Sequence, residues 1–166
     1  MRRQLLKPDT CLIRTDTGFR RCLVLGVLFT LVWCVAAARA AAVMTPSIVD
    51  PAVAIAASLA NDTMTGVQSN AALIETEAAK LSPPAPKLAA AARSLHGTAK
   101  IADARTAFGR MNDELVAYMD AHKLTIDPST RIAVCPMVNK PWLQKDAAIR
   151  NPYFGKEMLT CGSFKK

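Results

Sequence analysis

The chain has 166 residues, 51% hydrophobic, 5% aromatic and 20% charged, with a formal net charge of +8. That length suits one domain, the balance excludes a wholly disordered chain, and seven Gly with ten Pro exclude collagen-like and linker-dominated proteins. The basic excess points nowhere by itself: residues 1–40 hold seven Lys/Arg against two Asp/Glu, and residues 41–166 hold fourteen against eleven, so a nucleic-acid reading would rest mostly on the leader.

In chain order, Arg20-Arg21 precedes the apolar run Cys22–Ala38, and Ala38-Arg39-Ala40 follows. A basic stretch, an apolar stretch and a small-x-small site predict a secretory signal over residues 1–40, cleaved after Ala40. The alternative is an uncleaved anchor, for which the run is at the short end of the roughly 17–25 residues that span a bilayer. Arg20-Arg21 also admits twin-arginine export. Trp33 is too large for a lipoprotein box before Cys34. Cys11, Cys22 and Cys34 leave with the leader, and Cys135 and Cys161 remain in an exported, oxidising compartment.

Residues 41–50 read as a flexible start. Pro51 suits a first helical position with Asp50 as its N-cap. Met64, Val67, Ala71, Ile74, Ala78 and Leu81 recur three and four apart, one face of a second helix. Pro83-Pro84-Ala85-Pro86 ends it. A short third helix places Leu88, Ala91, Ala92 and Leu95 inward and stops at Gly97. Thr98 suits the cap of a fourth, whose stripe is Ile101, Ala104, Phe108, Met111, Leu115, Tyr118 and His122. Small inward residues and short connections predict an all-α fold, an up-and-down bundle of three to four helices over residues 51–123. Residues 124–166 read as a short irregular or β-hairpin-like tail packed on the bundle, with Arg131–Cys135 as a strand.

Sulfur gathers in that tail, in Cys135-Pro136-Met137 and Met158-Leu159-Thr160-Cys161. In an extended segment Cys135 and Met137 lie on one side, and one turn brings Met158 to Cys161. Thiolate and thioether donors select Cu(I) or Ag(I) over harder cations. Against this stands a Cys135–Cys161 disulfide with both Met as packing residues. Zinc lacks the four Cys/His ligands of a structural site. His96 and His122 fall at helix C-termini, where capping is the simpler role. Trp142, Asn151, Pro152, Tyr153, Phe154 and Gly155 read as residues that dock the tail. No Ser elbow, His-Glu-x-x-His or Gly-rich phosphate loop is present, Asp113-Glu114 reads as a solvated helix face, and no enzyme is expected. Ala-rich helices with few basic clusters argue against membrane action.

The tail pattern Cys135-Pro136-Met137, Trp142-Leu143-Gln144, Ile149-x-Asn151-Pro152-Tyr153-Phe154-Gly155 and Met158-Leu159-x-Cys161-Gly162 resembles the end of domain of unknown function 3347. Arg105-x-x-Phe108 resembles a further position, and Gly109-Arg110-Met111-Asn112 departs from the family's pattern. That family occurs as secreted proteins and fused to periplasmic adaptors of copper/silver efflux systems of the CusB type. The resemblance implies a helical bundle with a hairpin-like tail in the bacterial periplasm, linked to heavy-metal efflux or buffering. It implies Cu(I) or Ag(I) at Cys135, Met137, Met158 and Cys161, with His96 as a remote fifth ligand, and an efflux component as partner. The rival expectation is a protein-interaction module closed by a Cys135–Cys161 disulfide. Neither reading involves nucleic acid or membrane insertion after cleavage.

Overall fold

The structure is a computed structural model that describes residues 42–165. These belong to the second of two units set apart by contacts, Ala41–Lys166. The predicted signal, its cleavage site and the leader cysteines lie outside the described residues.

The first helix, α1, is Pro46–Ala60. Two Pro compete for its start, and Pro46 takes it. Thr45 is the N-cap, its hydroxyl accepting from the Ser47 N–H at 3.3 Å. Asp50 is therefore an ordinary helical residue, and Pro51 sits inside the helix. The expected flexible segment 41–50 is tied down instead. The Met44 N–H donates to the Thr125 carbonyl at 2.7 Å, the Thr125 N–H donates to the Ala42 carbonyl at 2.9 Å, and Met44 is buried. The cause lies in the core: Ile48 and Val49 are buried apolar residues, and only a start at Pro46 places both on the helix.

Helix α2 is Val67–Lys80 and buries Val67, Ala71, Ile74 and Ala78. Helix α3 is Pro86–His96, with Pro86 in its first turn and Gly97 as C-cap. Helix α4 is Ile101–His122. Thr98 does not cap α4: its hydroxyl donates to the Leu95 carbonyl at 2.7 Å and its carbonyl accepts from Gln68 at 3.0 Å. Lys100 stands at the N-cap position without a side-chain bond. His122 stays exposed in the last turn.

The described residues are mostly helical, with four helices packed together and a small antiparallel sheet in the C-terminal region. Strand β1 is Arg131–Cys135, β2 is Lys140–Gln144 and β3 is Ser163–Phe164, in the order β2-β1-β3. A tail expected to be irregular or hairpin-like thus forms three strands. Pro141 lacks an N–H and fits because β2 is an edge strand. Helix α1 packs on α2, α2 on α3 and α3 on α4, while β2 packs on both α1 and α4. Trp142 and Leu143 of β2 are fully buried in the same core as Ile55, Leu59, Ile74, Leu95, Phe108 and Leu115. The sheet is a wall of the core. Among the described residues no helix is long and apolar enough to cross a membrane.

Candidate functional site

Two of the sulfur-bearing residues, Cys135 and Cys161, lie near one another at the end of β1. Alternation along β1 turns Ala133 and Cys135 into the core. β3 pairs Val134 with Ser163, so the next rung sets Cys135 across from Gly162, with Cys161 one residue beyond. Cys135 is fully buried, Cys161 is half-buried, and no disulfide joins them in this structure.

Asn151 holds this corner. It is fully buried, and its side-chain N–H groups donate to Cys135 Sγ at 3.2 Å and to the Cys161 carbonyl at 2.7 Å. Its Oδ1 accepts from the Tyr153 N–H at 2.8 Å. Its backbone N–H donates to the Leu159 carbonyl at 2.7 Å. A buried amide must have its donors and acceptor satisfied, and here their partners are the two cysteines and the loop between them. The Cys161 N–H donates to the Met158 carbonyl at 3.0 Å, which brings half-buried Met158 within one turn of Cys161.

Met137 and His96 do not join. β1 pairs Cys135 with Lys140, so the chain reverses at residues 136–139 instead of running on extended. Met137 stands at that turn, 63% exposed. His96 lies at the end of α3, where its Nδ1 is 3.8 Å from Glu75 Oε2. Among the described residues no cluster of three or more His, Cys, Asp or Glu side chains could hold a metal. Cys135 and Cys161 share Asn151 as a hydrogen-bond partner, through a sulfur and a carbonyl respectively, and Met158 lies three residues before Cys161.

The aromatic residues surround this corner. The Trp142 ring meets the Tyr153 ring edge-on at 5.9 Å between centroids, and Tyr153 lies 5.9 Å from Phe108. The Tyr153 hydroxyl donates to the Pro141 carbonyl. Burial pushes its pKa far above the ordinary phenol value, and the nearby Asp113 and Cys135 push the same way, so it stays a neutral donor. The Trp142 N–H donates to Gln144 Oε1 at 2.9 Å. The Gln144 amide donates in turn to the Asp146 and Ala148 carbonyls at 2.9 and 2.8 Å, shaping the loop after β2.

Asn151 and Pro152 are buried, Phe154 is half-buried, and Gly155 adopts a φ of +56° at a close approach to Arg105 and Asp62. Arg105 donates to Asp62 Oδ1 at 2.5 Å and to the Leu59 and Pro152 carbonyls at 3.0 Å each. It joins α4 to the end of α1 and to the tail. The sequence marked Arg105 and Gln144 only by resemblance, and did not single out Asp62 as a site residue. Buried polar residues carry no periodic signal, so only their partners reveal them.

The family models, the curated proteins and the solved structures compared with this chain give no match.

Proposed function

We propose that this chain is an exported, non-enzymatic module of the periplasm that binds Cu(I) or Ag(I) through the Cys135 and Cys161 thiols, assisted by Met158. It serves heavy-metal efflux or buffering and hands the ion to an adaptor or another component of an efflux system. We take its helices as an up-and-down bundle. The observation that carries this reading is the Asn151 side chain, which bonds to one cysteine's sulfur and to the other's carbonyl. Two thiols and a thioether are a soft donor set, suited to Cu(I) and Ag(I). An N–H donor to sulfur is the kind of outer contact that orients a ligand and tunes it. The tail's resemblance to domain of unknown function 3347 supports the same reading. Met137 and His96 fall outside this donor set.

A second reading has its own support. Full burial of Cys135 suits a Cys135–Cys161 disulfide that closes the tail of a protein-interaction module. One experiment separates the two. The purified protein is assayed for free thiols before and after reduction, then titrated anaerobically with Cu(I) against a chromogenic chelator. The metal reading expects one Cu(I) per chain, lost in Cys135→Ser and Cys161→Ser, weakened in Met158→Ala and unchanged in Met137→Ala and His96→Ala. Thiols that react only after reduction, with no Cu(I) uptake once reduced, would leave the interaction module.

A further inference from the structure

A cavity of about 550 Å³ opens between α4 and the tail, a size that suits a small-molecule ligand. Gly109 of α4 is buried and forms part of its lining. A Cβ there would stand 3.2 Å from Lys140 Cγ and 3.5 Å from Tyr153 Cε1. The bare backbone therefore lets the Lys140 stem and the Tyr153 ring lie against the helix. Tyr153, Phe154 and Val138 supply the apolar lining, and Val138 is 40% exposed. The Tyr153 hydroxyl already donates to Pro141, so this residue offers a ligand its ring and not its proton.

The charged lining is Arg105, Arg110 and Lys140. Arg105 is bound to Asp62 and Lys140 to Asp113. Arg110 is exposed and makes no ion pair among the described residues. Among the described residues, Arg110 is thus the lining cation without a carboxylate partner, beside an aromatic floor.

We infer that this groove binds a small amphipathic monoanion, with a flat apolar body on Tyr153, Phe154 and Val138 and one carboxylate or sulfonate paired with Arg110. Arginine presents a planar fork that matches a carboxylate in two parallel hydrogen bonds. A phosphate dianion fits less well, because the other two cations are already committed to carboxylates. The inference is independent of the thiol site, since none of these residues is a proposed metal donor.

The test uses 8-anilinonaphthalene-1-sulfonate, an aromatic monoanion whose fluorescence rises on binding, displaced by 2-naphthoate or by its neutral analogue 2-naphthamide. The purified protein is expected to bind the dye saturably and to prefer 2-naphthoate over 2-naphthamide by about tenfold. Arg110→Gln should bring the two to parity. Val138→Glu should weaken both. Both positions are exposed, and unchanged circular dichroism verifies the fold of each variant. The proposal is overturned if the acid and the amide bind equally to the unaltered protein, if Arg110→Gln leaves the preference intact, or if no saturable displacement occurs at millimolar ligand. An acidic peptide that binds through Arg110 while 2-naphthoate does not compete would overturn it too, in favour of a protein partner.

Discussion

Arg105 connects three acceptors that belong to different parts of the chain: the Leu59 carbonyl at the end of α1, the Asp62 carboxylate after it and the Pro152 carbonyl in the tail. Replacing it with Leu keeps some packing and removes every donor. The Pro152 carbonyl loses its partner and the Leu59 carbonyl keeps only the Asp62 N–H at 3.2 Å, for an expected cost of about 1–2 kcal/mol, read from urea denaturation. Asp62 gives the same junction a pH dependence. The hydrogen bond from Arg105, and secondarily one from the Lys156 N–H, hold its carboxyl below the ordinary value of 3.8. A group lowered in the folded state stabilises it in full above the unfolded value and loses that contribution as pH falls through the folded one. Asp62→Asn should therefore lower Tm at pH 7, with the gap to the unaltered protein narrowing below about pH 4. A gap that stays constant with pH would mean that the charge of Asp62 is not what matters. Buried Asn112 sits differently. Its amide donates to the Phe108 carbonyl of its own helix at 2.9 Å, and its Oδ1 has no partner among the described residues. Asn112→Leu is expected to change stability by less than about 1 kcal/mol or to raise it, because the substitution removes a desolvated acceptor.

At the scale of elements, the tail depends on close approach. Gly162 has a φ of +149°, and a Cβ there would fall 2.7 Å from Trp142 Cη2 and 3.1 Å from the Val134 carbonyl oxygen. Gly162→Ala should cost about 1–3 kcal/mol and shift the near-ultraviolet signal of Trp142. Gly97→Ala is the control: its nearest neighbours would be 3.7 Å away, and a change within about 0.5 kcal/mol is expected. How far each element could be read from the sequence follows its kind of signal. The stripes of α2 and α4 were legible because apolar residues at three and four spacing need only one buried face. β1 was legible from its alternation. The start of α1 was not, since Thr45-Pro46 and Asp50-Pro51 offer the same local chemistry and only the burial of Ile48 chooses between them. Cys135 and Met137 were expected side by side on an extended chain, but the strand reverses between them. The approach of Asn151 to Cys135 depends on β1 meeting the segment after β2, a long-range pairing with no local trace. Asn112 and Gly109 interrupt the stripe of α4 because that helix also faces the tail, and periodicity reads one face at a time.

At the scale of the whole molecule, sheet and helices share one core, since β2 packs on both α1 and α4. Unfolding should therefore be a single transition. Trp142 is the only tryptophan among the described residues. With Trp33 replaced by Phe, melts followed by Trp142 emission and by far-ultraviolet circular dichroism should coincide. Earlier loss of the Trp142 signal would make the sheet an appendage that opens by itself. The shared wall also sets an order of events during synthesis. Isolated helices form in roughly a microsecond, whereas the ribosome takes on the order of seconds to add the residues between His122 and Gln144. For that interval the helical part of the chain lacks Trp142 and Leu143, and the side chains of α1 and α4 that will meet β2 have nothing to pack against. The growing chain is then an open array with an unsealed apolar seam, the kind of surface that chaperones hold. Sealing waits on delivery of the strand, so the core of this protein cannot close until β2 has been made.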